Sequence, residues 1–211
     1  MRTFIKLLAI TVASCAVSAY AVPTLTIFDG STTVTITDGS SGDSCPTLGC
    51  VTWIGTIGVW NINVDTGLTK PATGDPNNLD MDLSFVAHST ATGTLSVTWS
   101  DDGYMLSRGV IDAIGGTTDG SLSDNVLLNG NAILSLGPFG PGAFSGTTTG
   151  NLTLNPADVI AMQVLITQNG SGTSTGDKNL KVPEGGSAVA LLGLALVGLE
   201  GLRRKIRARH A

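Results

Sequence analysis

Charge is what this sequence has least of. Only 13% of its 211 residues are Asp, Glu, Lys or Arg, about half the share found in ordinary soluble domains. Glu184 and Glu200 are its only glutamates, and both lie near the C-terminus. From residue 22 to residue 181 there are 14 Asp against Lys70, Arg108, Lys178 and Lys181, a balance of −10. Such an acidic body offers phosphates no basic footprint, which argues against nucleic acid as a partner. Histidine is nearly missing too. His88 is the only one in the body, and it falls at the end of a segment on the polar parity, where solvent is the expected surrounding. The sequence also lacks a glycine-rich phosphate loop followed by Lys. With a single His there is no nucleophile–base–acid set to assemble. The expectation is therefore a protein that is not an enzyme.

Cysteine is scarce as well, with three residues. Cys15 belongs to an N-terminal leader. Cys45 and Cys50 frame a Gly/Ser/Pro-rich loop, a spacing that suits a local disulfide in an oxidising compartment. A zinc half-site is the other option, but no second Cys or His pair completes four ligands.

What the chain does have is an address at each end. Met1 to Lys6 is basic, residues 7–17 are apolar, and Ala19 and Ala21 form a small-x-small cleavage site. This is the order of a secretory signal peptide, read by the Sec translocon and cut by signal peptidase after Ala21. A looser lipobox reading would place a lipidated N-terminus at Cys15. The other end runs Val182-Pro183-Glu184-Gly185-Gly186, then an apolar stretch from Ala188 to Leu202, then a basic cluster of Arg203, Arg204, Lys205, Arg207 and Arg209. As a helix the apolar stretch would span about 22 Å, short of a hydrocarbon core of about 30 Å. It is a marginal anchor, and Glu200 weakens it further. Basic residues at both ends favour the cytoplasmic side, which places the body outside.

The motif, helix and basic finish, in that order, resemble the PEP-CTERM class of bacterial sorting signals. The Val-Pro-acidic-x-Gly form is closest to its VPDSG-CTERM branch, with Glu184 standing where that name has Asp. The resemblance implies an exosortase-type membrane enzyme as partner, acting at Val182 to Gly186. It also implies transient residence in the inner membrane and a producer that makes exopolysaccharide.

Between the ends the period is two. Leu79, Met81, Leu83 and Phe85 alternate with mostly polar neighbours, as do Trp60, Ile62 and Val64, then Leu95, Val97 and Trp99, while Ile160, Met162, Val164 and Ile166 alternate with Ala161, Gln163, Leu165 and Thr167. Other strands are expected over 24–28, 32–37, 51–55, 109–113, 125–128, 132–136 and 146–154. Asp-Gly and Asn-Gly pairs separate them and supply the positive φ of tight turns. The expected fold is all-β, an antiparallel β-sandwich with the jelly roll as one form of it. An N-terminal signal-peptide helix and a C-terminal hydrophobic helix would flank it. The expected division is 1–21 signal peptide, 22–168 sandwich, 169–181 spacer or edge strand, and 182–211 sorting tail.

Two weak sites complete the reading. Asp75, Asn77, Asp80 and Asp82 gather oxygen ligands around a loop and invite a structural Ca2+, although solvated loop polarity is the favoured explanation. Trp53 and Tyr104 are candidates for a flat sugar-stacking platform, against core packing. The function expected is an exported cell-surface or matrix protein, structural or adhesive in an exopolysaccharide biofilm. A carbohydrate-binding module is the alternative, and a glycoside hydrolase using paired Asp is a more distant one.

Overall fold

The computed structural model describes residues 22–183. The signal-peptide helix with Ala19 and Ala21, the hydrophobic helix and the basic cluster from Arg203 to Arg209 lie outside the described residues, as do Glu184, Gly185 and Gly186. Twelve strands follow one another: β1 (Thr24–Phe28), β2 (Thr33–Thr37), β3 (Cys50–Ile57), β4 (Trp60–Leu68), β5 (Asp80–Ser89), β6 (Gly93–Asp101), β7 (Leu106–Thr118), β8 (Ser121–Leu128), β9 (Asn131–Phe139), β10 (Gly142–Leu154), β11 (Ile160–Gln168) and β12 (Gly172–Lys181). They form two six-stranded antiparallel sheets. The first has the order β2-β1-β6-β11-β8-β9 and the second β10-β7-β12-β5-β4-β3. From β5 onward the chain alternates between sheets except at the β8-β9 hairpin, so that β5-β12-β7-β10 faces β6-β11-β8-β9. This is the double wrapping of a jelly roll. The hairpins β1-β2 and β3-β4 extend one edge of each sheet.

The alternation seen in the sequence sets the core. Leu79, Met81, Leu83 and Phe85 are buried, as are Trp60, Ile62 and Val64, Leu95, Val97 and Trp99, and Ile160, Met162, Val164 and Ile166. Each strand thus sends alternate side chains into one apolar layer between the sheets and leaves hydroxyls and amides outside. The Asn129-Gly130 pair, with φ of 50° and 81°, makes the tight turn between β8 and β9.

Residues 169–181 correct the expectation of a spacer or edge strand. β12 is an inner strand, paired with β5 along ten residues and with β7 along eight. Its core-facing positions are Gly172, Ser174, Gly176, Lys178 and Leu180, only one of which is a hydrophobe, so the parity was masked. Gly176 lies under the Phe85 ring, and a Cβ there would come within 2.5 Å of that ring's Cζ. The large side chain of β5 fills the volume that β12 leaves empty.

Candidate functional site

The clearest functional feature is the exit of the chain. β12 ends at Lys181, and the next residue, Val182, is still part of the core at 7% exposure. Its N–H donates to the Leu79 carbonyl at 2.9 Å. Pro183 is then exposed. The sorting motif therefore begins on the folded body itself, with no linker between them. The 69–79 loop that receives Val182 also lines, through Lys70, Pro71, Gly74, Asp75 and Pro76, a mostly apolar cleft of about 470 Å³ shared with Val22. Both ends of the described chain meet this one loop, and hence one end of the sandwich.

Residues 181–206 match the VPDSG-CTERM motif. The chain carries a VPDSG-CTERM tail. A tail of this kind marks an exported protein and implies an exosortase-type processing partner. Comparison of the whole chain with curated protein sequences finds no match. Among solved structures, the carbohydrate-binding module TmCBM61 in complex with β-1,4-galactotriose is similar at 8% identity and TM-score 0.36, covering 66% of this chain and 90% of that one. A β-glucosidase from Kluyveromyces marxianus in complex with glucose is similar at 12% identity and TM-score 0.30, covering 74% and 15%. A GH31 α-xylosidase from Xanthomonas citri is similar at 12% identity and TM-score 0.22, covering 76% and 18%. Overlaps this partial have no bearing on what the body does, whereas the VPDSG-CTERM tail bears on where it goes.

Of the residues singled out in the body, Cys45 and Cys50 are joined, with Cα atoms 5.9 Å apart. The disulfide closes a loop against edge strand β3. In that loop Asp43 Oδ1 accepts the N–H groups of Cys45 and Thr52, and Asp38 Oδ2 accepts the N–H of Gly49.

Trp53 and Tyr104 do not form a platform. Tyr104 is 0% exposed, its hydroxyl 2.5 Å from Thr69 Oγ1 and its ring 4.1 Å from the Lys70 ammonium. Burial pushes its phenol well above the ordinary range. Trp53 is half-buried against the core rim. The 69–79 loop folds over Tyr104, a tertiary event that the local Asp-Asp-Gly turn does not announce.

The proposed cation ligands are divided among separate tasks. Asp75 Oδ1 accepts the N–H of Asn77 within its own turn. Asp80 Oδ2 accepts from Thr73 Oγ1 at 2.5 Å, and Asp80 Oδ1 from the Asn179 amide at 3.3 Å. Among the described residues no three His, Cys, Asp or Glu side chains converge as a cation site. His88 lies within β5 rather than in a loop, and its Nδ1 is 3.0 Å from Thr173 Oγ1.

Asp82 stands on the solvent-side parity of β5, half-buried, near Asp177 and Asp80. Burial first, and then repulsion from Asp177, push its carboxyl up to about 6. A carboxyl held above its unfolded value binds its proton more tightly in the fold. Stability contributed by this site therefore falls as pH rises from about 4 to about 6. Asp82→Asn should raise stability at pH 7 by about 1 kcal/mol, after allowance for solvent screening. The gain should disappear near pH 4. Urea midpoints at both pH values test this, and equal midpoints for the two proteins at pH 7 would refute it.

Sequence reasoning missed two buried charge sites. Lys70 is paired with Asp101 at 2.6 Å. Lys178 lies between Asp112 and Asp124. The available signal was a charge on the apolar parity, as in Val110-x-Asp112-x-Ile114 and Leu122-x-Asp124-x-Val126.

Proposed function

We propose that this chain is an exported surface or matrix protein whose sandwich acts by contact rather than catalysis, and that an exosortase-type enzyme processes its tail in a producer of exopolysaccharide. The observation that carries this reading is the VPDSG-CTERM match beginning directly at the end of β12. The body suits a contact role. Its exposed strand faces are mainly Thr, Ser and Asn, and its net charge gives it solubility without basic patches. The carboxylates of Asp80, Asp82 and Asp177 stand on an open sheet face and line neither the cleft beside residues 70–76 nor the depression around Ile54 and His88. That placement favours contact over a hydrolase cleft.

Replacing Arg203, Arg204 and Lys205 together with Gln should abolish most of the processed surface form and leave unprocessed chain in the membrane or medium. Fractionation and intact mass of the protein from the producing cell read this out. Normal maturation of the variant would overturn the sorting assignment.

A second reading, carbohydrate binding, has one observation in its favour. A shallow depression on the second sheet is lined by Ile54, Thr56, Asn61, Asn63, Val86 and His88, and Asn63 Oδ1 there is buried with no donor among the described residues. A buried acceptor at a depression of this sort suits a sugar hydroxyl. A glycan array probed with the exported protein, beside its Asn63→Ala variant, separates the two readings.

A further inference from the structure

Three charged side chains occupy core positions on strands that are otherwise apolar on that face. Asp112 sits between Val110 and Ile114 on β7, Asp124 between Leu122 and Val126 on β8, and Lys178 two residues before Leu180 on β12. All three are 0% exposed. β7 and β12 are neighbours in the second sheet, while β8 belongs to the first, so the lysine reaches across the sandwich. Its Nζ contacts Asp124 Oδ1 directly. The same Nζ lies 3.0 Å from Asp112 Oδ1 and 3.2 Å from the Asn125 carbonyl.

Hydrogen bonding in this cluster is incomplete. Among the described residues Asp124 Oδ2 has no donor, and neither oxygen of Asp112 has a well-directed one. The Lys70–Asp101 pair is the contrast. There Asp101 Oδ2 accepts from Lys70 and from Thr69 Oγ1, and Oδ1 accepts from the Asp102 N–H. That pair is saturated and has no second carboxylate, as expected of a structural ion pair. The Lys178 cluster instead places two carboxylates and one amine in a dry core with oxygens to spare, an arrangement that is costly while it stays ionic. Burial pushes the Asp124 carboxyl up to about 6; Asp112 adds to the rise and Lys178 opposes it.

We propose that Lys178 and Asp124 condense spontaneously into an intramolecular amide that staples β12 to β8, with Asp112 as the proton carrier. Asp112 relays two protons in turn. The first passes from the Lys178 ammonium to an Asp124 oxygen, so that a neutral amine faces a neutral acid. Nζ then adds to Asp124 Cγ. The second proton passes from that nitrogen to the same oxygen, the C–O bond breaks, and the oxygen leaves as water. One ammonium and one carboxylate become one amide and one water, and Asp112 returns to its starting state. The step needs neither oxidant nor reductant. Contact enforced by three strands supplies a high effective molarity.

The test is peptide mass analysis of the full chain exported by a bacterial host. No Lys or Arg lies between Arg108 and Lys178, so trypsin leaves Asp124 and Lys178 on one fragment. Once bonded, Lys178 resists trypsin, and the fragment spans 109–181 and is lighter by one water. A second digestion with chymotrypsin must then leave two pieces still joined, one holding Asp124 and one holding Lys178. An aspartate dehydrating in place would also lose water, but it would neither protect Lys178 nor join the pieces. Joined pieces from most wild-type molecules are expected. A wild-type chain cut at Lys178, with its pieces separate, overturns the proposal. Asp112→Asn should slow joining by about a hundredfold, and joining at the wild-type rate would remove Asp112 from the mechanism. If that variant does not fold, the wild-type digest alone decides.

Discussion

Trp99→Ala should lower the free energy of unfolding by about 3–5 kcal/mol, the range seen for truncating large buried aromatics. Trp99 is fully buried on β6, in register with Leu25 of β1 and Met162 of β11, at the centre of the first sheet. Its ring lies over Gly67 of β4, where a Cβ would come within 3.0 Å of Cδ2. Its Nε1 donates to the Leu68 carbonyl at 3.0 Å. One side chain thus supplies both bulk and a polar tie between the two sheets. Trp99→Phe retains much of the bulk and loses only the donor, so it should cost about 1–2 kcal/mol, close to the desolvation cost of one unpaired carbonyl. Denaturant unfolding of the two variants measures both terms. A loss below about 1 kcal/mol for the alanine variant would mean that the neighbouring layers collapse into the gap, contrary to the packing described.

Lys178→Met should cost a similar amount, about 3–5 kcal/mol at pH 7, for a different reason. It leaves Asp112 and Asp124 buried with no cation near them, and an uncompensated buried charge is what makes breaking such a cluster expensive. Where the amide has formed, its loss adds to this cost. The deficit has a pH signature. Without the lysine to oppose burial, the Asp124 carboxyl is raised further in the fold, yet it titrates normally in the unfolded chain. The folded state then carries the extra proton, so the deficit shrinks as pH falls toward 4. Replacing all three residues with Met, Leu and Leu should recover most of the loss, since a core of apolar residues asks for no partners. Midpoints at pH 7 and pH 5 for the single and triple variants check this. A single variant as stable as the parent at pH 7 would show that the cluster is not as dry as its burial indicates.

The sandwich was legible wherever large apolar residues held one parity, because burial of every second side chain needs no knowledge of the partner strand. Leu79 to Phe85 and Ile160 to Ile166 are of this kind. β12 was not legible, because four of its five inward residues are glycine, serine and lysine, and what makes them core residues belongs to other strands. Phe85 fills the space over Gly176, and Asp124 answers Lys178 from the opposite sheet. Tyr104 misled for a similar reason: its cover comes from residues 69 and 70, far away in sequence. The VPDSG-CTERM motif was readable because an address is a linear string recognised by another molecule and does not depend on how the rest of the chain packs.

The inner position of β12 bears on timing. A chain that leaves the cell N-terminus first delivers this strand last. Until it arrives, β10-β7 and β5-β4-β3 are separate half-sheets, each with a raw border on the same vacant slot. Filling the slot and presenting the address are therefore successive moments of one passage, with the body closing like a zipper just as the final residues reach the membrane. A truncated product lacking residues 172–181 would be an open shell, its interior bared to solvent and to its neighbours.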